Sequence, residues 1–566
     1  MDRRVFLAVI LTAIVIVVTP LIFPGSRPTP IRDSLAADSI TATVQEKPIA
    51  AQAPTAHAAQ KGPDRAATVM PDTTATDSSE VASGHMTAWY ADRLGAPSRV
   101  KLDDYQSRNP GRRSGPVDLR PDEHGPLLSY ALAFGDSTAS LAQAGLVPVG
   151  QSQNKTKGIT FQGMLGSRAV RIAYAGPETD ADRYLVHVVV NITNAPGDAR
   201  LLIDLPRTLA SAESDTLDDF RHLAFGYKPK GDGVQSIAFG KLDSGQTKIV
   251  NGPLEWVALR NKYFLVAVIS QDSAIAGASF TGGRREAKVA VQGSSQVVIP
   301  LRNGQASFDL YTGPQEFERL QALGHDLAHV NPYAGWLHGV VQPFANIVTR
   351  VLLWMKRTSG LSYGWVIIIF GVTVRLLLWP LNQSAMRTSI RMQRLQPELA
   401  EVQRKYKNDP EKQRDALVKL YQAHGMTPFS PMMGCLPMLI PMPILFALYF
   451  VFLNTIEFRG VPFLWMHDIS AADPYFITPL VMGLSMFALS WIGMRGTPPT
   501  PQTRMMSYMM PVVFTFMFLR FAAGLNLYYA VQNLAALPQQ WLLARERASV
   551  NASGISAKRD DRRDKT

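Results

Sequence analysis

From Tyr363 to Leu381 the chain reads Tyr-Gly-Trp-Val-Ile-Ile-Ile-Phe-Gly-Val-Thr-Val-Arg-Leu-Leu-Leu-Trp-Pro-Leu, with one full charge, Arg375, well inside an apolar run. About 20 such residues in a helix match the ~30 Å hydrocarbon core of a bilayer. An arginine at that depth costs roughly 2.5–3.5 kcal/mol on insertion scales and more in simulations. A residue that costly is rarely kept without a use, so Arg375 is the first candidate for function.

Composition supports a membrane chain. Of 566 residues 46% are hydrophobic and 18% charged, against ~25% charged in soluble domains, and charges are almost absent from five segments after residue 360. Such a length calls for more than one structural unit. The single cysteine, Cys435, excludes an intrachain disulfide framework and a cysteine-based zinc cluster. A net charge of +12 points to an anionic partner, and its placement matters more than its total.

In chain order, Val5–Phe23 is an apolar run behind Arg3 and Arg4, long enough to span. It exceeds the h-region of a cleavable signal. Arg3-Arg4-Val-Phe-Leu has the look of a twin-arginine export motif, but the later membrane segments argue against that route. Residues 1–23 are therefore expected to be a retained first helix, starting in the cytoplasm. Residues 24–83 are rich in Ala, Thr, Pro and Asp and read as a flexible tether.

Residues 84–325 change to short alternating runs. Val170, Ile172 and Tyr174 alternate with Arg171 and Ala173, and Tyr184–Thr193, Ala199–Leu205, Tyr263–Ile269 and Val297–Leu301 are β-branched or aromatic. Asn194–Gly197 and Gly293–Ser295 punctuate them, the pattern of an antiparallel sandwich lying outside the membrane. His187, alone on a strand, is expected to be structural. Residues 326–357 carry Trp336, Leu337, Val340, Val341 and Phe344 around Pro343, which suggests an amphipathic interfacial helix.

Beyond Arg375, apolar runs at about 432–453, 476–493, 505–521 and 524–544 bring the expected spans to six, five of them within 358–544. Basic residues cluster in 382–431 and in the tail 545–566, while 454–475 has only Arg459. With both termini inside, every basic-rich segment is cytoplasmic. Residues 384–425 read as a helical hairpin: Met392, Leu395, Leu399, Val402 and Tyr406 step by three and four, Asn408-Asp409-Pro410 supplies a turn, and Pro397 is expected to kink or restart the first helix. Its charges, Arg387, Arg391 and Arg394 among them, are either a solvated face or a contact for anionic lipid or ribosomal RNA.

Motifs for familiar chemistry are missing. The chain has no phosphate-binding Gly-x-x-x-x-Gly-Lys loop and no His-Glu-x-x-His. Gly360-Leu-Ser-Tyr-Gly364 matches a nucleophile elbow in letters only, since it precedes a membrane helix and no histidine lies in any span; Ser362 reads as a helix cap. His467 and Asp468 read as a turn. Within the spans Arg375 is the one clearly internal ionisable residue, with no acidic partner there. The polar neighbours on offer are Thr373, Ser485, Ser490, Asn526, Tyr528, Tyr529, Gln532 and Asn533, of which Asn526, Tyr529 and Asn533 share a helix face. An arginine in that company implies a wet cavity suited to transient pairing with an incoming acidic group, worth roughly 4 kcal/mol at 4 Å and an effective dielectric of 20. Met432, Met433, Met438 and Met442 are either ordinary packing or an adaptable apolar surface, and Pro437, Pro441 and Pro443 should distort their helix.

These residues carry a family likeness. Gly364-Trp365, Val374-Arg375 and Trp379-Pro380-Leu381 resemble the arginine-bearing helix of the YidC/Oxa/Alb membrane insertases; Met392-Gln-Arg-Leu-Gln-Pro397, Gly434-Cys-Leu-Pro437, Met442-Pro443, Phe463-Leu-Trp465, Asp468-Ile-Ser470, Asp473-Pro474, Gly524-Leu-Asn-Leu-Tyr-Tyr529, Asn533 and Gln539-Gln540 extend it over 333–545. Trp256-Val-Ala, Tyr263-Phe264 and Tyr311-Thr-Gly-Pro314 resemble the periplasmic domain of Gram-negative members. Gly371 stands where the family often has a threonine, and Pro441 where a glutamine is common.

The resemblance implies a polytopic α-helical inner-membrane protein with an all-β periplasmic supersandwich. It further implies insertase and chaperone activity rather than enzyme activity, with no cofactor or metal. A hydrophilic groove would hold Arg375, Thr373, Asn526, Tyr528, Tyr529 and Asn533, and a slide for the guest would run past Pro437, Met438 and Met442. The implied partners are nascent membrane proteins, the Sec translocon, anionic lipids and, through Arg387, Arg391, Arg394, Pro397 and the tail, the ribosome, but not DNA. The competing reading is a secondary transporter or channel for an anionic solute, which should show internal repeats that are not evident here. A sugar-modifying enzyme could be suggested by the sandwich alone, with no constellation to support it.

Overall fold

The structure, a computed structural model, describes residues 78–563 apart from 111–114, 121–125, 150–157, 272–273, 287, 332, 334–337, 407–408, 424–441 and 496–500. The chain divides into two compact units, Met1–Thr74 and Ala75–Thr566, and every described residue belongs to the second. The expected first helix and most of the tether lie outside the described residues, as do Cys435, Pro437, Met438 and Pro441.

The alternating runs form antiparallel sheet. Along Arg168–Ala175, Val170, Ile172 and Tyr174 are buried while Ala169 and Arg171 face outward, the period of two that a pleated strand imposes. That strand pairs with Leu185–Ile192, which pairs with Gln305–Pro314, which pairs in turn with Phe264–Ser270. Residues Phe264 to Ile269 are buried without alternation, because both faces of this inner strand are covered. These belong to a fourteen-stranded sheet, and a four-stranded sheet beginning at Ser78 contributes Met86, Tyr90, Val100 and Leu102 to the same core.

Two stretches depart from expectation. Ser78–Ala82 pairs residue for residue with residues 87–91 of the strand Met86–Ala91, so five residues read as tether are an edge strand held by its partner. Gly293–Ser295, read as punctuation, opens the strand Gly293–Pro300; a Cβ at Gly293 would stand 2.9 Å from the Phe225 ring, so glycine here serves close packing rather than a turn. Asn194 does occupy a left-handed turn position, at φ 52°. His187 sits directly across from Asp309, with Nδ1 2.5 Å from Oδ1, a structural pair on adjacent strands.

After the short helix α1 (Phe317–Leu323) come α2 (His338–Ser359), α3 (Tyr363–Lys405), α4 (Pro410–Ala423), α5 (Met442–Asn454), α6 (Ile477–Met494), α7 (Pro501–Phe518) and α8 (Ala523–Arg563). On α2, Val341, Ala345, Val348 and Leu352 step by four and three and are buried, and the helix packs chiefly on α5. Helix α3 is unbroken through Pro380 and Pro397, so the expected kink or restart does not end it. At 43 residues it is about 65 Å long, twice the hydrocarbon thickness, and it carries the first half of the basic hairpin beyond the span. Asp409 caps α4, accepting from the Lys412 N–H at 3.1 Å ahead of Pro410.

Exposed apolar stripes mark the lipid-facing side. Trp365, Ile369, Val372 and Leu376 step by four and three along α3, and Leu480, Leu484, Phe487 and Trp491 do so along α6. Contiguous exposed apolar rows of this kind mark a surface that meets lipid or another apolar partner. Among the described residues Tyr363–Pro380 and Ile477–Met494 are long and apolar enough to cross a membrane, while Ile444–Asn454 and Ser507–Phe518 are shorter apolar helices.

The loop from Thr455 to Phe476 joins the two halves. Asp473 organises it, accepting from Trp465 Nε1 at 3.2 Å and from the Thr478 N–H at 2.7 Å. Its carbonyls at Ala471 and Ile469 accept the first N–H groups of α8, from Ala523 at 2.7 Å and Gly524 at 2.8 Å. Toward the β domain, Arg459 donates to Glu213 at 2.7 Å, Arg108 pairs with Asp468, and the Phe317 N–H donates to Glu457 Oε1 at 3.2 Å. Asp468 is thus a tether point between the halves rather than a plain turn residue.

Candidate functional site

Arg375 lies twelve residues into α3 and is partly buried against α8. Its Nη2 donates to Gln539 Oε1 at 2.7 Å. Gln539 is 3% exposed and donates its own Nε2 to the Trp379 carbonyl at 3.1 Å, one turn further along α3. Arg375 Nε is enclosed and has no hydrogen-bond partner. One turn before the arginine, the Gly371 carbonyl accepts from Gln532 Nε2 at 2.8 Å, and the same nitrogen lies 2.9 Å from the Tyr528 hydroxyl. A Cβ at Gly371 would meet Val531 at 3.1 Å, so glycine lets α3 and α8 approach.

The polar residues of α8 divide between two faces. Tyr528, Gln532 and Gln539, spaced by four and seven, face α3. Asn526, Tyr529 and Asn533, spaced by three and four, face α6 and α7: Asn533 Nδ2 donates to Ser485 Oγ at 3.1 Å, Asn526 Nδ2 to the Phe518 carbonyl at 3.1 Å, and the Tyr529 ring stands 5.6 Å from that of Phe518. The stripe singled out from sequence is therefore not the one against Arg375. Asn526 Oδ1 and the Tyr529 hydroxyl are enclosed without partners. Thr373, two residues from Arg375 and so on another side of α3, is exposed.

A cavity of about 250 Å³ opens beside Gln539, between the middle turns of α3 and α8, lined by Trp379, Gln383, Leu542, Leu543, Arg545 and Glu546. Gln532 and Gln539 lie seven apart in register with Tyr528, a helical signal as readable as that of the asparagine stripe. Arg387, Arg391, Arg394 and Pro397 all fall on α3 beyond the span, the three arginines at sequence intervals of four and three. Met442 is the first residue of α5; Pro437 and Met438 lie outside the described residues.

Residues 354–550 match the family model described as 60Kd inner membrane protein, and residues 136–347 match the YidC periplasmic domain. The chain belongs to the YidC family. The membrane protein insertase YidC of Nitratidesulfovibrio vulgaris (strain DP4) is 32% identical over 383 residues, covering 65% of this chain and 68% of the relative. That of Aromatoleum aromaticum is 30% identical over 447 residues, covering 73% and 77%. Among solved structures, an active YidC insertase crystal structure with the first transmembrane domain resolved covers 83% of this chain and 93% of its own, at 20% identity and a TM-score of 0.33. The chain is thus an inner-membrane protein whose periplasmic domain is largely β structure, as the resemblance implied.

Proposed function

We propose that this chain is a membrane protein insertase in which Arg375 receives acidic groups of nascent membrane proteins. The observation that carries the reading is the state of the arginine: a guanidinium within a membrane helix, held by a neutral amide, with Nε enclosed and unpartnered. Among the described residues no carboxylate pairs with it, so its charge is available to a guest. A short acidic tail would enter from the side of the 250 Å³ cavity and pair with Arg375, while the guest's apolar segment passes into lipid. Hydrophobic partitioning drives insertion, helped for acidic tails by about 2.3 kcal/mol per charge per 100 mV of membrane potential.

The reading includes six spans with both termini cytoplasmic, because that arrangement places the basic hairpin and tail on the cytoplasmic side. The arginines of α3 beyond the span would then meet anionic lipid or ribosomal RNA, and insertion would proceed alone or beside the Sec translocon, with chaperone action on the inserted helices. Thr373, Asn526, Tyr528, Tyr529 and Asn533 would line the path or support it, and Pro437, Met438 and Met442 would offer the guest an apolar slide. Reconstitution into liposomes with a single-span guest bearing a short acidic tail tests the reading. Insertion well above that of protein-free vesicles supports it; equal insertion with and without the protein overturns it.

A further inference from the structure

A guanidinium presents five N–H donors in a rigid fork, and a carboxylate pairs with it best through two parallel hydrogen bonds. The Nε–Nη2 edge of Arg375 is one such fork. Gln539 Oε1 occupies its Nη2 side at 2.7 Å, and the Nε side is enclosed and empty of partners. The amide is oriented from behind, because Nε2 donates to the Trp379 carbonyl at 3.1 Å and so turns the oxygen toward the arginine. Gln539 also borders the 250 Å³ cavity, which gives the side chain space to swing away.

We propose that Gln539 is a positioning residue that sets the selectivity of Arg375 for acidic guests: its amide oxygen holds one tooth of the guanidinium fork where a guest carboxylate will sit, and the guest captures the arginine by displacing it. A carboxylate fills both teeth and adds charge, so it outcompetes a single neutral oxygen, whereas a guest amide offers no advantage over Gln539. The latch thereby raises the threshold for engaging Arg375. The proposal rests on the insertase reading above.

The test uses the full chain in proteoliposomes and two guests identical but for Asp and Glu against Asn and Gln in the tail. Arg375→Ala comes first: if the preference for the acidic guest survives it, the role given to Arg375 fails, and the latch with it. If Arg375→Ala abolishes the preference, Gln539→Glu is expected to lower the ratio of acidic to amide guest inserted by about tenfold, since a resident carboxylate then fills the fork. Gln539→Met, of similar length without the oxygen, is expected to lower that ratio about threefold by the other route, raising insertion of the amide guest, which then meets an unoccupied fork. Equal losses for both guests in the two variants, or an unchanged ratio in both, would make Gln539 a packing residue and overturn the latch while leaving the insertase reading standing.

Discussion

Arg375 on α3 and Gln539 on α8, 164 residues apart in the chain, are joined by a hydrogen bond of 2.7 Å. The bond fastens the two helices without neutralising the charge. An aspartate or glutamate at 539 would have made a closed ion pair; a glutamine leaves a cation that another molecule can still claim.

Replacing the arginine separates charge from packing. Arg375→Ala is expected to reduce insertion of acidic-tailed guests about tenfold or more, with an unfolding midpoint close to that of the parent, because the side chain is only partly buried. Arg375→Lys should restore part of the loss, since an ammonium keeps the charge but cannot fill a two-toothed fork. Proteoliposome insertion alongside thermal unfolding checks both.

Glu457 makes the contact between α1 and the outer loop sensitive to pH. Burial, reinforced by nearby Glu316 and Glu318, pushes its carboxyl up to about 7. Its Oε2 has no partner and borders a cavity of about 20 Å³ that Asn331 and Asn454 share. A carboxyl whose folded value is raised disfavours its own ionisation. Its contribution is therefore complete below the ordinary carboxyl range and falls away as pH rises through about 7. Thermal stability should decline over that window, by at most about 3 kcal/mol from this group. Glu457→Gln should flatten the decline; an unchanged profile in the variant would assign it to other groups.

The Arg459–Glu213 pair anchors the β domain to the membrane half. Both side chains are largely buried, at 4% and 13% exposure, and the guanidinium also lies 5.6 Å from the Phe264 ring. Arg459→Ala leaves a buried carboxylate unpaired, at a cost of about 3–5 kcal/mol. Faster proteolysis between the halves and a lower unfolding midpoint are the expected signs. Adding Glu213→Gln should recover part of the loss by removing the stranded charge.

Gly364 lets the first turn of α3 lie against the outer loop. A Cβ there would stand 2.1 Å from the Phe463 ring, which also meets Trp365 edge-on at 5.6 Å. Gly364→Ala should destabilise by about 1–3 kcal/mol despite alanine's better helix propensity, because the ring has to move. Gly364→Ala combined with Phe463→Leu should lose less than the two single changes added together, measured by thermal unfolding.

Much of this molecule is legible without coordinates, because its strongest signals are local. Period-two alternation placed Val170, Ile172 and Tyr174 on the buried face of their strand, and apolar length together with one deep charge marked α3 as a membrane helix with a task. Ser78–Ala82 was not legible, since an edge strand of ordinary composition exists only through its partner. Nor was the side of α8 that meets Arg375. Helical spacing told which residues share a face, Asn526 with Tyr529 and Asn533, or Tyr528 with Gln532 and Gln539, but both stripes are polar and both fit. Packing decided between them: Gly371 lets α8 close on α3 through Gln532 and Gln539, while the asparagine stripe turns to α6 and α7. Periodicity is a property of one helix, whereas the neighbour that a face meets depends on how the whole bundle closes.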